Sequence, residues 1–169
     1  MLDLLSKVTI IMPTFNRKKY ALRNMKFWSN KDVKLHVLDG SEDEIKKSEL
    51  INFGSNIKYH HIPEDIFSRI YKAKDLVDTK YAILLCDDEL YVPSALAECV
   101  KYLDNSEETV SCIGRCMAFK IENKKLLVNE KFSPIKKSEN RSISFKQRIL
   151  YKATNFLLKL DNYALKYYR

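Results

Sequence analysis

Asp87, Asp88 and Glu89 stand side by side in YAILLCDDELYVP, residues 81–93, directly after an apolar run that ends in Cys86. Acids this close repel one another unless water, a cation or a hydrogen-bond network compensates. Carboxylates on one short loop suit a hard divalent ion, Mn²⁺ or Mg²⁺, which prefers oxygen ligands and keeps positions open for a substrate phosphate. An equally simple reading makes them a solvated acidic turn ahead of a helix that begins at Pro93, where negative charge favours the helix dipole.

Other residues carry chemistry of the same kind. Asp39, in VLDGS, can hydrogen-bond a base or ribose, or can close an Asx-turn beside Gly40. Phe15, in PTFNR, can stack on a planar base or anchor its loop. Arg17, Arg69, Lys72 and Lys74 are cations able to meet phosphate, or else solvated surface charge. His36, His60 and His61 have no carboxylate or serine at an informative spacing and read as structural.

The elements that position these groups follow from the apolar pattern. KVTIIM (7–12) is a strand buried on both faces, and 18–30 has the helical spacing of apolar residues 21, 22, 25 and 28. VKLHVLDGS (33–41) is a second strand, 42–53 a charged helix, and 56–63 a third strand. A helix over 65–78 buries Ile66, Ile70, Ala73, Leu76 and Val77. YAILLC (81–86) is the fourth strand, 93–105 a helix with proline in its first turn, and 110–121 a further strand. Strands alternating with helices predict an α/β domain with a mainly parallel sheet, whose ligands bind beyond the carboxyl ends of the strands. PTFNR, DGSED and CDDE all fall at such ends.

The chain of 169 residues suffices for one sizeable core, and its charge of +8 is uneven. Residues 131–169 hold ten Lys and Arg against two Asp and Glu, whereas residues 1–130 hold twenty of each. Only the tail is basic, and it lacks the interleaved aromatics of a nucleic-acid motif, so no nucleic-acid partner is expected. From about 142 the tail has a helical period: Phe145, Ile149, Ala153, Phe156, Leu157, Leu160 and Ala164 share one face, with Arg148, Lys152, Lys159 and Lys166 along a flank. Such a helix either docks its apolar face on protein or lies on an anionic membrane surface. The first residues lack a basic segment and a cleavage site, which predicts a cytoplasmic protein. The four cysteines read as reduced, packed thiols rather than zinc ligands.

Taken together, VTIIMPTFNRKKYALRNM, HVLDGSEDE and KYAILLCDDELYVPSAL resemble the nucleotide-sugar-binding half of inverting family 2 glycosyltransferases with the GT-A fold, over about residues 7–105. The phrasing TKYAILLCDDE is most similar to a bacterial subgroup acting on surface polysaccharides. The resemblance implies a GT-A-like, Rossmann-like three-layer sandwich over residues 1–125. Residues 126–169 are then a basic helical segment that is part of an acceptor region or the remainder of one, with its C-terminal amphipathic helix.

The same resemblance implies roles. Pro13, Thr14 and Phe15 match the loop against base and ribose, and Asp39 matches the acid that reads the base. Arg69 and Lys72 fall where the family places groups near the diphosphate. Asp87 matches the acid near the ribose and Asp88 the one that meets Mn²⁺ or Mg²⁺, with Glu89 a further ligand or solvent-facing. The implied activity is inverting, metal-assisted transfer of a hexosyl group from a nucleotide sugar, a UDP-sugar first, to a hydroxyl of a polysaccharide or lipid-linked glycan. It would act in the cytoplasm or at the inner face of the membrane. The sequence departs from the family at Cys86, where many relatives have another acid. It departs again after residue 121, where Glu122, Glu130, Glu139 and Asp161 stand in no recognisable context, leaving the catalytic base unassigned. That gap supports the alternative of a non-catalytic nucleotide-sugar-binding or scaffolding module. A nucleotidyltransferase would need a glycine-rich, lysine-bearing phosphate loop, which is missing.

Overall fold

The computed structural model describes residues 2–112, 119–122 and 125–128. The chain divides into two compact units between Val110 and Ser111. In the first, α1 (Leu2–Leu5) leads into β1 (Val8–Thr14), α2 (Lys18–Trp28), β2 (Lys34–Asp39), α3 (Lys47–Leu50) and β3 (Ile57–His61). Next come α4 (Ile66–Ala73) with a 3-10 turn at Lys74–Leu76, then β4 (Tyr81–Leu84) and α5 (Pro93–Asp104). The four strands form one parallel sheet in the order β3-β2-β1-β4. The α/β class and parallel sheet expected from the alternation are therefore present.

That order carries the chain outward from β1 to β2 and β3, and then back across to β4. Right-handed crossovers consequently put α2 on one face of the sheet and α4 on the other. Packing agrees on the α4 side, where Ala73 clusters with Ile11 and Leu38, and Ile62, Leu76 and Val77 close around them. The strands at the centre alternate side chains between two covered faces, so β1 and β2 are buried almost throughout. Ala21, Met25, Phe27 and Trp28 give α2 its buried face. At the amino edge of the sheet Asp104, at the end of α5, accepts hydrogen bonds from Lys7, Lys80 and Tyr81. These three donors hold its carboxyl well below the usual carboxylate range and offset the unfavourable placement of an acid at a helix C-terminus.

Several elements differ from the sequence expectation. The helix over 42–53 shrinks to Lys47–Leu50, because Ile45 is buried and its N–H donates to the Tyr59 hydroxyl at 3.0 Å, and Lys46 is extended. The helix over 65–78 starts on Asp65, whose side chain accepts from the N–H groups of Phe67 and Ser68, and tightens into the 3-10 turn after Ala73. Its buried face is also rotated. Arg69 and Ala73 point inward, whereas Ile66 is exposed. Of the strand over 110–121, residues 110–112 are irregular, 113–118 lie outside the described residues, and pairing begins only at β5 (Phe119–Glu122). In the second unit β5 pairs antiparallel with β6 (Lys125–Val128). Cys86, Cys99 and Cys112 are free thiols, and Cys86 is exposed rather than packed. The basic helix expected from 142, Cys116, Glu130, Glu139 and Asp161 lie outside the described residues. Among the described residues no helix is long and apolar enough to cross a membrane.

His36 on β2 and His60 on β3 stack with rings 5.2 Å apart and share a hydrogen bond of 3.0 Å between Nδ1 and Nε2. Burial holds both imidazoles below their ordinary pKa, His60 and the lysines Lys34 and Lys58 adding to the effect on His36 against the opposing charge of Asp78. The unfolded chain then takes up protons at a pH where the folded chain does not, so this contribution to stability is complete above about pH 6.5 and is lost on acidification. Thermal denaturation from pH 7.5 down to 5 should show that loss. Replacing both residues with glutamine should flatten its slope.

Candidate functional site

The chain builds the sheet outward from β1 to β2 and β3 and then returns to add β4, parallel to the rest, on the other side of β1, which makes the carboxyl ends of β1 and β4 the topological switch point of the sheet. The acid cluster and the PTFNR loop lie there together. Asp87 follows β4 and is only 4% exposed. Its Oδ2 accepts from the Thr14 hydroxyl at 2.7 Å, and its Oδ1 lies 2.9 Å from Nη1 of Arg17. The Asp87 carbonyl accepts from Asn24 Nδ2 at 2.7 Å and from Arg23 Nη2 at 3.0 Å. Thus β1, α2 and the end of β4 are tied through one residue.

Arg17 forks across the cluster, its Nη2 lying 3.1 Å from Oδ2 of the half-exposed Asp88. The hydrogen bond to Asp88 is the main reason its pKa lies above the ordinary value, with the charges of both acids adding to it. The guanidinium also lies over the Tyr20 ring, 4.5 Å from its centre. Local backbone geometry puts Arg17 there. Asn16 adopts φ of 53°, a left-handed conformation that asparagine tolerates, and its N–H donates to the Ser41 hydroxyl at 2.8 Å. The turn delivers Arg17 to the position just ahead of α2 and leaves Phe15 54% exposed. Pro13 remains within β1, in register with Leu38.

Beside this lies the end of β2. Asp39 is buried, and Oδ1 accepts from the Ser41 N–H at 2.9 Å and the Ser41 hydroxyl at 2.5 Å. Its Oδ2 accepts from the Tyr59 hydroxyl at 2.7 Å. This is the Asx-turn bonding, with both oxygens engaged by protein donors. Burial, together with the Asp39 carboxylate, drives the Tyr59 phenol well above its ordinary pKa, so it remains a donor. Arg69 reaches the same edge from α4. It is 3% exposed, and its Nη1 donates to the carbonyls of Thr14 and Leu38, both at 2.6 Å, while its Nε is buried without a hydrogen-bond partner. A buried guanidinium met by carbonyl dipoles is a fixed positive charge under the loop.

The structure therefore brings Thr14, Arg17, Asp87 and Asp88 into one cluster, with Asp39 and Arg69 beside it. Lys72 and Lys74 stay apart on the outside of α4: Lys72 pairs with Glu64, and Lys74 lies over the Tyr71 ring. Glu89 is exposed in the turn after Asp88. Asn24, Ser41 and Tyr59 were not singled out in the sequence. Only Asn24 left a signal, as a polar residue set between the apolar positions 21, 25 and 28 of its helix. Among the described residues no three His, Cys, Asp or Glu side chains form a group able to cage a metal.

Gly40 is required for space rather than for backbone freedom, since it does not have positive φ. A Cβ there would lie 2.6 Å from Cζ of Arg69, a group pinned by two carbonyls. Gly40→Ala should therefore cost about 1–3 kcal/mol, read from urea denaturation. Tyr59→Phe, which removes one donor from the Asp39 carboxylate, should cost about 1.5–3 kcal/mol in the same measurement. No family model matches the chain, and no curated protein matches it.

Proposed function

We propose that the first unit is a GT-A-like nucleotide-sugar-binding domain of a glycosyltransferase, transferring a sugar from a UDP-sugar to a hydroxyl of a glycan or lipid-linked acceptor. The observation that carries this reading is the position of the cluster. Thr14 with Arg17 after β1, and Asp87 with Asp88 after β4, straddle the switch point where open parallel sheets bind their ligands. Phe15 offers an exposed ring to a base on one side. Arg17 offers charge to a diphosphate on the other.

The oxygen donors fit Mn²⁺ or Mg²⁺ as a shared site rather than a cage, because such ions accept one or two carboxylates and complete their shell with water and phosphate. Asp88, with Glu89 beside it, would hold the ion, which when bound would stabilise negative charge on a departing diphosphate. Asp39 and Asp87, whose carboxylates are occupied by protein donors, hold the strand ends in place and do not serve as bases. The same observation favours, as a second reading, a module that binds the nucleotide sugar without transferring it. Calorimetric titration with UDP, with and without Mn²⁺, tests the assignment. The wild-type protein should bind more tightly with the metal, and Asp88→Ala should lose that gain while still folding. Absence of metal-dependent binding in the wild type would sink the reading. Binding with neither hydrolysis nor transfer of the sugar would select the module.

A further inference from the structure

Two acids followed by a third call for positive charge, and in this structure the chain supplies it. One guanidinium spans both carboxylates, at 2.9 Å from Asp87 Oδ1 and 3.1 Å from Asp88 Oδ2. A planar fork placed across two separate carboxylates neutralises the pair as a compact ammonium could not. The fork also occupies carboxylate oxygens that a divalent ion would need, and two cations on the same oxygens repel.

We propose that Arg17 is a built-in counter-cation of the Asp87–Asp88 pair: a divalent ion must displace it, and the released guanidinium then takes the phosphates of the nucleotide. This rests on the nucleotide-binding reading above and adds an exchange step to it. Three observations favour release over a permanent ion pair. The Arg17 side chain is 42% exposed, so it leaves the acids without unpacking a core. Asp87 keeps its hydrogen bond from Thr14, and its carbonyl keeps that from Asn24, when Arg17 departs. The guanidinium also lies over the ring of Tyr20, in the first turn of α2, which gives it a contact besides the two acids. Arg17 stands immediately before α2, whose first N–H groups already favour an anion. A phosphate arriving there meets a cation that the metal has just set loose.

Such an exchange makes metal and nucleotide bind co-operatively and keeps the metal weak alone. Coupling between sites of this kind is worth about 5–150-fold. The test is titration of Mn²⁺ without nucleotide, followed by calorimetry and by the electron paramagnetic resonance of free Mn²⁺, on the full chain. Arg17→Gln should bind Mn²⁺ alone at least about tenfold more tightly than the wild type. In the same variant the gain in UDP affinity that Mn²⁺ confers should shrink. Arg17→Lys, which keeps the charge but cannot fork, should fall between the two, and circular dichroism checks that each variant is folded. Mn²⁺ binding by Arg17→Gln no tighter than by the wild type overturns the counter-cation. Tighter metal binding with an unchanged Mn²⁺ effect on UDP overturns the hand-over to phosphate. A wild-type protein that binds UDP under neither condition overturns the nucleotide reading itself, and this proposal with it.

Discussion

Asp87 places a negative charge, 4% exposed, between the ends of β1 and β4, where donors from both sides have to meet it. The Thr14 hydroxyl and the Arg17 guanidinium do so at its carboxylate, and Asn24 and Arg23 at its carbonyl. Losing the Thr14 hydroxyl or the Asn24 amide leaves a buried polar group short of a partner, which is why the loop after β1 and the start of α2 depend on a residue more than sixty positions along the chain. The sheet alone would bring these strand ends near one another. Asp87 fixes how they face.

Arg69 plays the complementary part from the opposite side of the sheet. It crosses from α4 to the carbonyls of Thr14 and Leu38, at the ends of β1 and β2, and so holds the backbone from which the loop after β1 departs. With Asp39 closing its own turn through Ser41 and Tyr59, the edge is built from oppositely charged posts. Each post is bound to neutral donors or acceptors rather than to the other. The solvent-facing charge is left to Arg17 and Asp88, whose side chains are 42% and 48% exposed.

The alternation of strand and helix was legible because β1 and β4 are short, mainly apolar runs and α2 keeps a 3.6-residue apolar stripe. Topology then made the strand-end motifs legible as neighbours, since a parallel sheet brings all its carboxyl ends to one edge. What escaped depended on contacts distant in sequence. The start of α3 is set by Tyr59, fourteen residues beyond Ile45. Arg69 reads in the sequence as a cation for phosphate or as solvated surface charge, yet the register of α4 turns it inward with Ala73 onto two backbone carbonyls and leaves Phe67 and Tyr71 in solvent. Asn24 disappeared into a helix face counted as apolar. The side-chain bonding of the acid cluster was equally invisible, because nothing in CDDE says that an arginine seventy residues earlier lies across it.

Gly40 and Arg69 also bear on how this sequence can change. The space a side chain would need at position 40 is filled by the guanidinium, 2.6 Å from where a Cβ would stand. Neither residue can be altered as though the other were absent. A larger residue at 40 escapes the cost of crowding only on a background where 69 has shrunk, and that background has also given up the link between the two carbonyls. The two positions are therefore coupled through the space they share, and a change at either is also a change in how the strands beneath the loop are held.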